Sequence, residues 1–476
     1  AERRPMTART GGTPVERFDF VIIGAGPAGE AAAHLARRRG ASVAVVDRLW
    51  FGGSCPHIGC IPSKALLNSA ARHICAEDYS WERASERRDY MINRRKDADE
   101  PDDSGHVRSL EGDGAVTHRG EARIVAPGRV AVTTGDGTTE LQGDNILVAV
   151  GSVSKMPPID GLAAARVWTN REATLARQRP ETLLVLGGGP TGCELAQVYA
   201  RFGVPVSIVQ SGPRLLPSDH PRNAEAVTAG LVASGVNVRT GVRATRARAG
   251  AGPNGADLVD LDDGSTASGH AILVAVGRTV PLDGLGLEAY GIDSGSREPF
   301  PRDGRLKIAD GLYVIGDAAG PELHTHQGHY QGELAVRMAL GDAVEPDYRA
   351  LPRATYTDPE AAFVGRSLEQ ARADGVDAFE LVAPFPETSR GYSLEATTGH
   401  VTIVVDAVSR QLVGCAIACP DASAAIHECV LAIKARVPMD VLADTIHAFP
   451  STSRIFNGLF ADALRTLDER AAAQPS

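Results

Sequence analysis

The sequence predicts an α/β protein: two parallel-sheet units of one architecture, followed by a C-terminal α+β unit. Three observations predict it. A glycine turn closing an apolar strand occurs twice, in "FDFVIIGAGPAGE" (residues 18–30) and "ETLLVLGGGPTGCE" (residues 181–194). Two near-identical strand ends, "ILVAVGS" (146–152) and "ILVAVGR" (272–278), each close one of these units. From about Leu351 the glycine turns stop and a different strand and helix pattern begins.

In chain order, residues 1–16 are polar and are expected to be disordered, with Met6 read as the natural start and no secretory signal. An apolar strand then ends in Gly24-Ala25-Gly26-Pro27-Ala28-Gly29, an Ala-rich helix follows, and "SVAVVD" makes a second strand. Glycines permit a tight turn and close approach of a pyrophosphate, while the helix start offers N–H groups and a positive dipole. Asp47, 23 residues after Gly24, is placed to hydrogen-bond a ribose. Strand, turn, helix, strand and acid together make a Rossmann-like dinucleotide site. The second copy carries Gly187, Gly189 and Gly192, with Gln210 at the position of the acid, so two dinucleotides are implied. "LYVIGDAAG" delivers Asp317 at a strand's carboxyl end, where open α/β sheets bind ligands, and a helix follows in "THQGHYQGELAVRMALG". "HVTIVVDAVSRQLVGCAIACPD" reads as two strands joined by a turn, and "ASAAIHECVLAIKARV" as a helix. The charged stretch "WERASERRDYMINRRKDADEPDDSG" reads as a solvated helix and loop.

Composition bounds the function. The chain has 476 residues, 43% hydrophobic and 23% charged, with net charge −10, which argues against a nucleic-acid partner. No apolar run approaches the ~18 residues that span a bilayer. Seven cysteines without a secretory signal suggest a reducing cytoplasm, where a disulfide is usually catalytic.

The segment "GGSCPHIGCIPSK" (residues 52–64) holds Cys55 and Cys60, with Lys64 four residues on. Zinc would need a second pair or histidines at ligand spacing, and none stands out. A purely structural disulfide over so short a loop is disfavoured in a cytosol. A redox pair accounts for the glycines, the position after the first β-α-β unit, and the lysine together.

These motifs, in this order, resemble the FAD-dependent pyridine nucleotide–disulfide oxidoreductases, which include dihydrolipoyl dehydrogenase, glutathione reductase and mercuric reductase. The resemblance runs from Phe18 to about Asp468. It implies an FAD-binding domain at 17–152, an NAD(P)H-binding domain at 153–280, a central part at 281–350 that completes the FAD site, and a dimerisation domain at 351–476. FAD would be held by Gly24, Gly26, Pro27, Ala28, Gly29, Asp47, Arg48, Gly53, Ser54, Lys64, Ala122, Gly151, Gly316 and Asp317. Gly187, Gly189, Gly192, Gln210, Ser211 and Gly277 would hold NAD(P)H. Cys60 would be the flavin-facing charge-transfer sulfur and Cys55 the interchange sulfur, with Lys64 near flavin N5 and paired to Glu194. The resemblance further implies a homodimer with active sites shared across the interface.

One departure matters. The family's usual His-Pro-Thr-x-x-Glu reads "HAFPSTSR" here (residues 447–454), with Phe449 at the base position and Arg454 at the glutamate position. Phenylalanine cannot transfer a proton. Mercuric reductases lack that histidine but carry a C-terminal cysteine pair, and no cysteine follows Cys429 here. Phe449 and the start of the redox loop are similar to 2-ketopropyl-coenzyme M oxidoreductase/carboxylase, whereas Arg454 and the Pro62-Ser63-Lys64 segment are not. His447 and His57 are the alternative proton carriers, each with a structural reading beside it. His324, His326 and His329 read as packing at a helix start rather than as a metal site. Cys415 and Cys419 fall on one strand ~13 Å apart, too far for a disulfide. Cys75, Cys193 and Cys429 read as buried apolar residues.

Three functions follow. The first is an NAD(P)H-dependent FAD oxidoreductase passing electrons through Cys55–Cys60 to an unusual small-molecule acceptor, such as a small disulfide or thiol, or a quinone. The second is a dihydrolipoyl dehydrogenase-type reductase with a replaced base, and the third a catalytically decayed redox sensor or accessory subunit. Gln210 neither repels nor attracts a 2′-phosphate and Arg214 is the nearest cation in sequence, so weak coenzyme discrimination with a lean to NADPH is expected.

Overall fold

A computed structural model describes residues 15–76, 79–94, 100–293, 305–320 and 322–473. The chain forms two compact units: residues 1–65, 85–155 and 278–347 make the first, and 66–84, 156–277 and 348–476 the second.

The first unit is an eight-stranded sheet. β1 (Val15–Ile23) lies between β2 (Val43–Asp47) and the strand Gly137–Val148, parallel to both, and β3 (Val116–Arg119) extends the sheet beside β2. Leu312–Val314 lies parallel to Gly137–Val148 on its other side. Phe20 to Ile23 and Val43 to Val46 are buried on both faces, as a strand covered by helices requires. α1 (Pro27–Arg38) is largely alanine on its buried side, which lets the helix Thr325–Ala339 approach closely. A Cβ at Gly332 would stand 2.2 Å from Ala28 O.

β1 begins at Val15, so the disorder expected for 1–16 does not extend to residues 15 and 16, and residues 1–14 lie outside the described set. The charged stretch departs from its expectation on one face only. Its helix Trp81–Asn93 keeps Glu82, Arg83, Glu86 and Arg87 exposed, as a solvated helix does, but its other face buries Trp81, Ser85 and the ion pair Arg88–Asp89, at 2.8 Å. Apolar counting misses it because a paired Arg–Asp satisfies burial without apolar residues. Residues 95–99 of that stretch lie outside the described residues.

The second unit contains a five-stranded parallel sheet in the order Asn237–Thr240, Val206–Gln210, Leu183–Leu186, Ala271–Val274, Val167–Trp168. Here the helix Pro190–Arg201 takes the place that α1 has in the first unit. A five-stranded antiparallel sheet with its own apolar core follows, built on His400–Asp406 and Gln411–Cys419 and covered by the helices Ala422–Ala435 and Arg454–Ala473. Among the described residues no helix is long and apolar enough to cross a membrane.

Candidate active site

Two glycines of the first unit's turn, Gly24 and Gly29, have no room for a side chain. Gly24 has φ +104°, and a Cβ there would meet Ala149 O at 2.3 Å. A Cβ on Gly29 would meet Gly24 O at 2.0 Å. α1 starts from Gly26 as N-cap with Pro27 at its first turn, so its first N–H groups face the strand end without intrahelical partners. Asp47 closes β2, and its two oxygens accept N–H groups of Ala25 and Leu49, each at 2.8 Å. Burial raises its carboxyl above the usual range, and those two bonds oppose the shift. This cradle fits a dinucleotide: close backbone, orphan N–H groups, and an acid at the second strand end.

The redox segment is tied to that cradle. Gly52 N–H donates to Ala25 O at 2.7 Å, and a Cβ on Gly53 would lie 2.6 Å from Gly26 Cα. α2 (Ser54–Ile58) follows, then Gly59, then α3 (Cys60–Cys75). A Cβ on Gly59 would come 3.0 Å from Ser54 O and 3.3 Å from Cys55 Cα, so the break between helices stays tight enough for the sulfurs to meet. No disulfide joins Cys55 and Cys60 in this structure. The Cys55 thiol is hydrogen-bonded to the Cys60 sulfur, and that bond, with burial, pushes the Cys55 pKa up. Cys60 stands at the amino end of α3, where the dipole favours an anion, and Thr325 Oγ1 lies 3.4 Å from its sulfur. Lys64 is one turn further along α3, on the same face as Cys60.

His57 does not join the sulfurs. It is fully buried, its Nε2–H donates to Phe51 O at 2.8 Å, and its ring packs beside Trp50 and His106. A carbonyl only accepts, so Nε2 carries the proton and Nδ1, which has no hydrogen-bond partner, is bare. Burial lowers its pKa and keeps it neutral. Cys55 and His57 are two apart on a helix and face different ways.

Asp317 lies on the turn Gly316–Ala318 after the strand Leu312–Val314. Ser152 Oγ donates to its Oδ2 at 2.5 Å, Arg278 Nε donates to Ser152 Oγ at 2.6 Å, and Arg278 stands 3.8 Å from the carboxylate. Gly151 and Gly316 have positive φ, and Gly316 N–H donates to Gln331 Oε1 at 2.8 Å. Ala122 sits on the strand Glu121–Ala126, and Arg48 is exposed, 3.5 Å from Glu121. His324 and His326 stack at 5.0 Å, and among the described residues no group of three or more His, Cys, Asp or Glu is arranged to hold a metal.

The second unit repeats the cradle. Gly187 has φ +104°, and a Cβ on Gly192 would meet Gly187 O at 2.2 Å. Gln210 Oε1 accepts Gly188 N–H at 2.8 Å, in the same relation as Asp47 to Ala25. Gly189 caps the helix as Gly26 does, Ser211 is exposed, and Gly277 has φ +123°. Arg214 donates from a single Nη to the carbonyls of Pro217 at 2.9 Å and Asp219 at 3.1 Å, which ties its side chain to its own loop. Glu194 is buried and its Oε1 accepts Tyr356 N–H at 3.0 Å.

In the C-terminal sheet domain Phe449 is 70% exposed. His447 is nearly buried, with Nε2 2.7 Å from Glu428 Oε1 and Nδ1 3.1 Å from Thr445 O. Both ring nitrogens are thus engaged within the domain. Cys193 and Cys429 are buried as expected, but Cys75 is exposed, because α3 ends there at the surface. Cys415 and Cys419 share the strand Gln411–Cys419.

The sequence reading missed Thr325, Ser152 and Arg278. The last two were visible as the final residues of "ILVAVGS" and "ILVAVGR". Thr325 carried no signal, since a threonine at a helix start reads first as a cap.

Twin glycine cradles, one of them tied to a thiol pair, define a dinucleotide-dependent redox enzyme. Residues 18–333 match the pyridine nucleotide-disulphide oxidoreductase family, and residues 351–459 match the dimerisation domain of that family. The chain belongs to this family, whose members are FAD-dependent enzymes that use NAD(P)H. Dihydrolipoyl dehydrogenase of Chlorobaculum tepidum is 31% identical over 96% of this chain and 99% of its own. The enzyme of that name from Bacillus subtilis is 31% identical over 94% and 96%. Among solved structures, the Cu(II) complex of the HOCl-induced flavoprotein disulfide reductase RclA from Escherichia coli superposes with TM-score 0.83 at 26% identity, covering 94% of this chain and 99% of that one. LpdA from Mycobacterium tuberculosis gives 0.81 at 27%, covering 95% and 99%.

Proposed function

We propose that this enzyme takes electrons from NAD(P)H and passes them through a Cys55–Cys60 disulfide to a small acceptor that needs no proton from the C-terminal motif. The observation that carries the acceptor reading is the exposed Phe449 at the base position, with His447 and His57 both committed elsewhere. Bound FAD supplies acceptance of a hydride from the nicotinamide and delivery of two electrons to the disulfide. The chain's residues do the rest. The Gly24–Gly29 turn and the start of α1 receive the pyrophosphate, and Asp47 and Asp317 orient the ribose and ribitol ends. Two electrons open the S–S bond, leaving the negative charge on Cys60 and the sulfur of Cys55 to meet the acceptor. Thr325 and the α3 dipole hold the Cys60 thiolate. Lys64, Arg48, Gly53, Ser54, Ala122 and Gly151 line the flavin site, and Gln210, Ser211 and Gly277 line the coenzyme site.

A homodimer sharing its active sites, a cytoplasmic location, and the division into domains 17–152, 153–280, 281–350 and 351–476 belong to the same reading. The second reading, a dihydrolipoyl dehydrogenase-type reductase, is favoured by the full-length similarity to enzymes of that name. An NAD(P)H oxidation assay with lipoamide, glutathione disulfide, a quinone and Cu(II) separates the two. Turnover of the quinone or Cu(II) with little of lipoamide supports the first reading. Lipoamide turnover at ordinary enzyme rates, ~10 s⁻¹, supports the second and overturns the first.

A further inference from the structure

The adenosine 2′ position of a coenzyme held by a glycine-turn unit lies over the end of the second strand and the loop that follows it. Here that is Gln210 and the loop Ser211-Gly212. No carboxylate stands at the strand end. The orientation of the Gln210 amide is set by Gly188, whose N–H needs an acceptor, so Oε1 faces it and Nε2 is left as a donor. That Nε2 lies against the loop, 2.9 Å from where a Cβ on Gly212 would be. The strand end thus offers a donor, but a phosphate dianion also calls for a cation.

Arg214 is tied back to its own loop, one Nη donating to the carbonyls of Pro217 and Asp219. On the neighbouring strands, Arg239 pairs with Asp263 at 3.2 Å, Arg246 with Asp160 at 3.3 Å, and Arg248 with Asp260 at 2.5 Å. Arg243 differs. Gly241 N–H donates to Gly212 O at 2.8 Å and Val242 N–H to Gln210 O at 3.2 Å, so the residues just before Arg243 are bonded to the loop in question. Its own backbone is held by a reciprocal pair with Asp262: Arg243 N–H to Asp262 Oδ1 at 2.9 Å and Asp262 N–H to Arg243 O at 3.0 Å. Arg243 is exposed, and its guanidinium makes no hydrogen bond or ion pair among the described residues.

We propose that Arg243 is the coenzyme-specificity residue of this enzyme: an exposed cation, its backbone held beside the Gln210–Gly212 loop, that binds the 2′-phosphate of NADPH and has no partner in NADH. The proposal rests on the coenzyme reading above. A guanidinium–phosphate contact at an exposed site is worth about a tenfold change in affinity. Arg243→Ala should therefore raise the KM for NADPH about tenfold, leave kcat near its wild-type value, and leave both constants for NADH unchanged. Arg243→Lys should recover part of the loss. Adenosine 2′,5′-bisphosphate and 5′-AMP probe the same contact by titration, without turnover. The wild type should bind the bisphosphate more tightly, and Arg243→Ala should abolish the difference. Equal binding of the two probes by the wild type, or a bisphosphate affinity untouched by Arg243→Ala, overturns the proposal. Failure of the wild-type flavin to be reduced by either coenzyme would instead sink the reading on which it rests.

Discussion

Thr325 is the hydroxyl that approaches the sulfur pair, 3.4 Å from Cys60 and in reach of Cys55. A hydrogen bond to a charged group contributes ~1.5–3 kcal/mol. On the proposed assignment, Thr325→Val should leave less thiolate on Cys60 in the reduced enzyme. Alkylation by iodoacetamide near neutral pH should slow about three- to tenfold, while alkylation of the unfolded chain is unchanged. Equal rates in the folded variant and wild type would mean that the α3 dipole and Cys55 hold the charge without the hydroxyl. At the same scale, His57 shows how a residue in the right sequence can face the wrong way. Two positions along a helix turn it into the Trp50–His106 packing, and only the path of α2 decides that.

Among the elements, the two glycine turns predict separable losses. A Cβ at Gly29 or at Gly192 collides with the backbone of its own turn, at 2.0 and 2.2 Å. Gly29→Ala should yield protein without its yellow flavin. Gly192→Ala should remain yellow but be reduced poorly by NAD(P)H, as flavin content and anaerobic bleaching would reveal. Loss of flavin from both variants would contradict the division of labour between the turns. The C-terminal sheet carries a pH signature. His400 opens the strand His400–Asp406, with Nδ1 2.8 Å from Thr402 Oγ1 and Nε2 without a hydrogen-bond partner. Burial, and then the charges of His220 and Arg222, push its pKa down to about 3. The folded value lies below the ~6.5 of an unfolded chain, so the unfolded chain takes up the proton first as pH falls. Stability is insensitive to this group above ~6.5 and declines below it, by ~1.4 kcal/mol for each pH unit until the folded value is reached. Between about pH 7.5 and pH 5.5 the loss is ~1.4 kcal/mol, and His400→Gln should flatten the fall in Tm over that range. An unaltered slope would assign the acid sensitivity to other groups.

For the whole molecule, the decisive prediction concerns "HAFPSTSR". Phe449 is exposed in the chain, which suits a residue that meets the partner of a dimer, and Arg454 heads the helix Arg454–Ala473. Phe449→His with Arg454→Glu should raise lipoamide or glutathione disulfide reduction, since a positioned acid–base contributes ~10²–10⁴-fold. The rate of flavin reduction by NAD(P)H should stay the same. Arg454→Glu alone should stabilise the domain by ~0.3–1 kcal/mol, because an acid suits a helix amino end better than a cation does. If the double variant gains no disulfide reduction, the base position lies elsewhere. Dimer formation is the other test at this scale: sedimentation should give twice the 49.9 kDa chain mass.

Local chemistry was enough for the sequence to determine the fold class, the duplicated cradles and the thiol pair. A turn that excludes Cβ admits only glycine, a helix-covered strand is apolar throughout, and two sulfurs with four residues between them can meet across a glycine break. Wherever the answer depended on direction in space, tertiary structure decided. It committed Arg214 to its own loop, turned His57 inward, gave both nitrogens of His447 to its own domain, and buried Arg88 against Asp89 in a helix that reads as surface. It also brought Arg278 and Ser152 to Asp317, and Thr325 to Cys60, across long stretches of chain. The physical reason is that spacing along a chain sets which residue types are available, whereas a charge or a proton acts over a few ångströms, and only packing sets those distances.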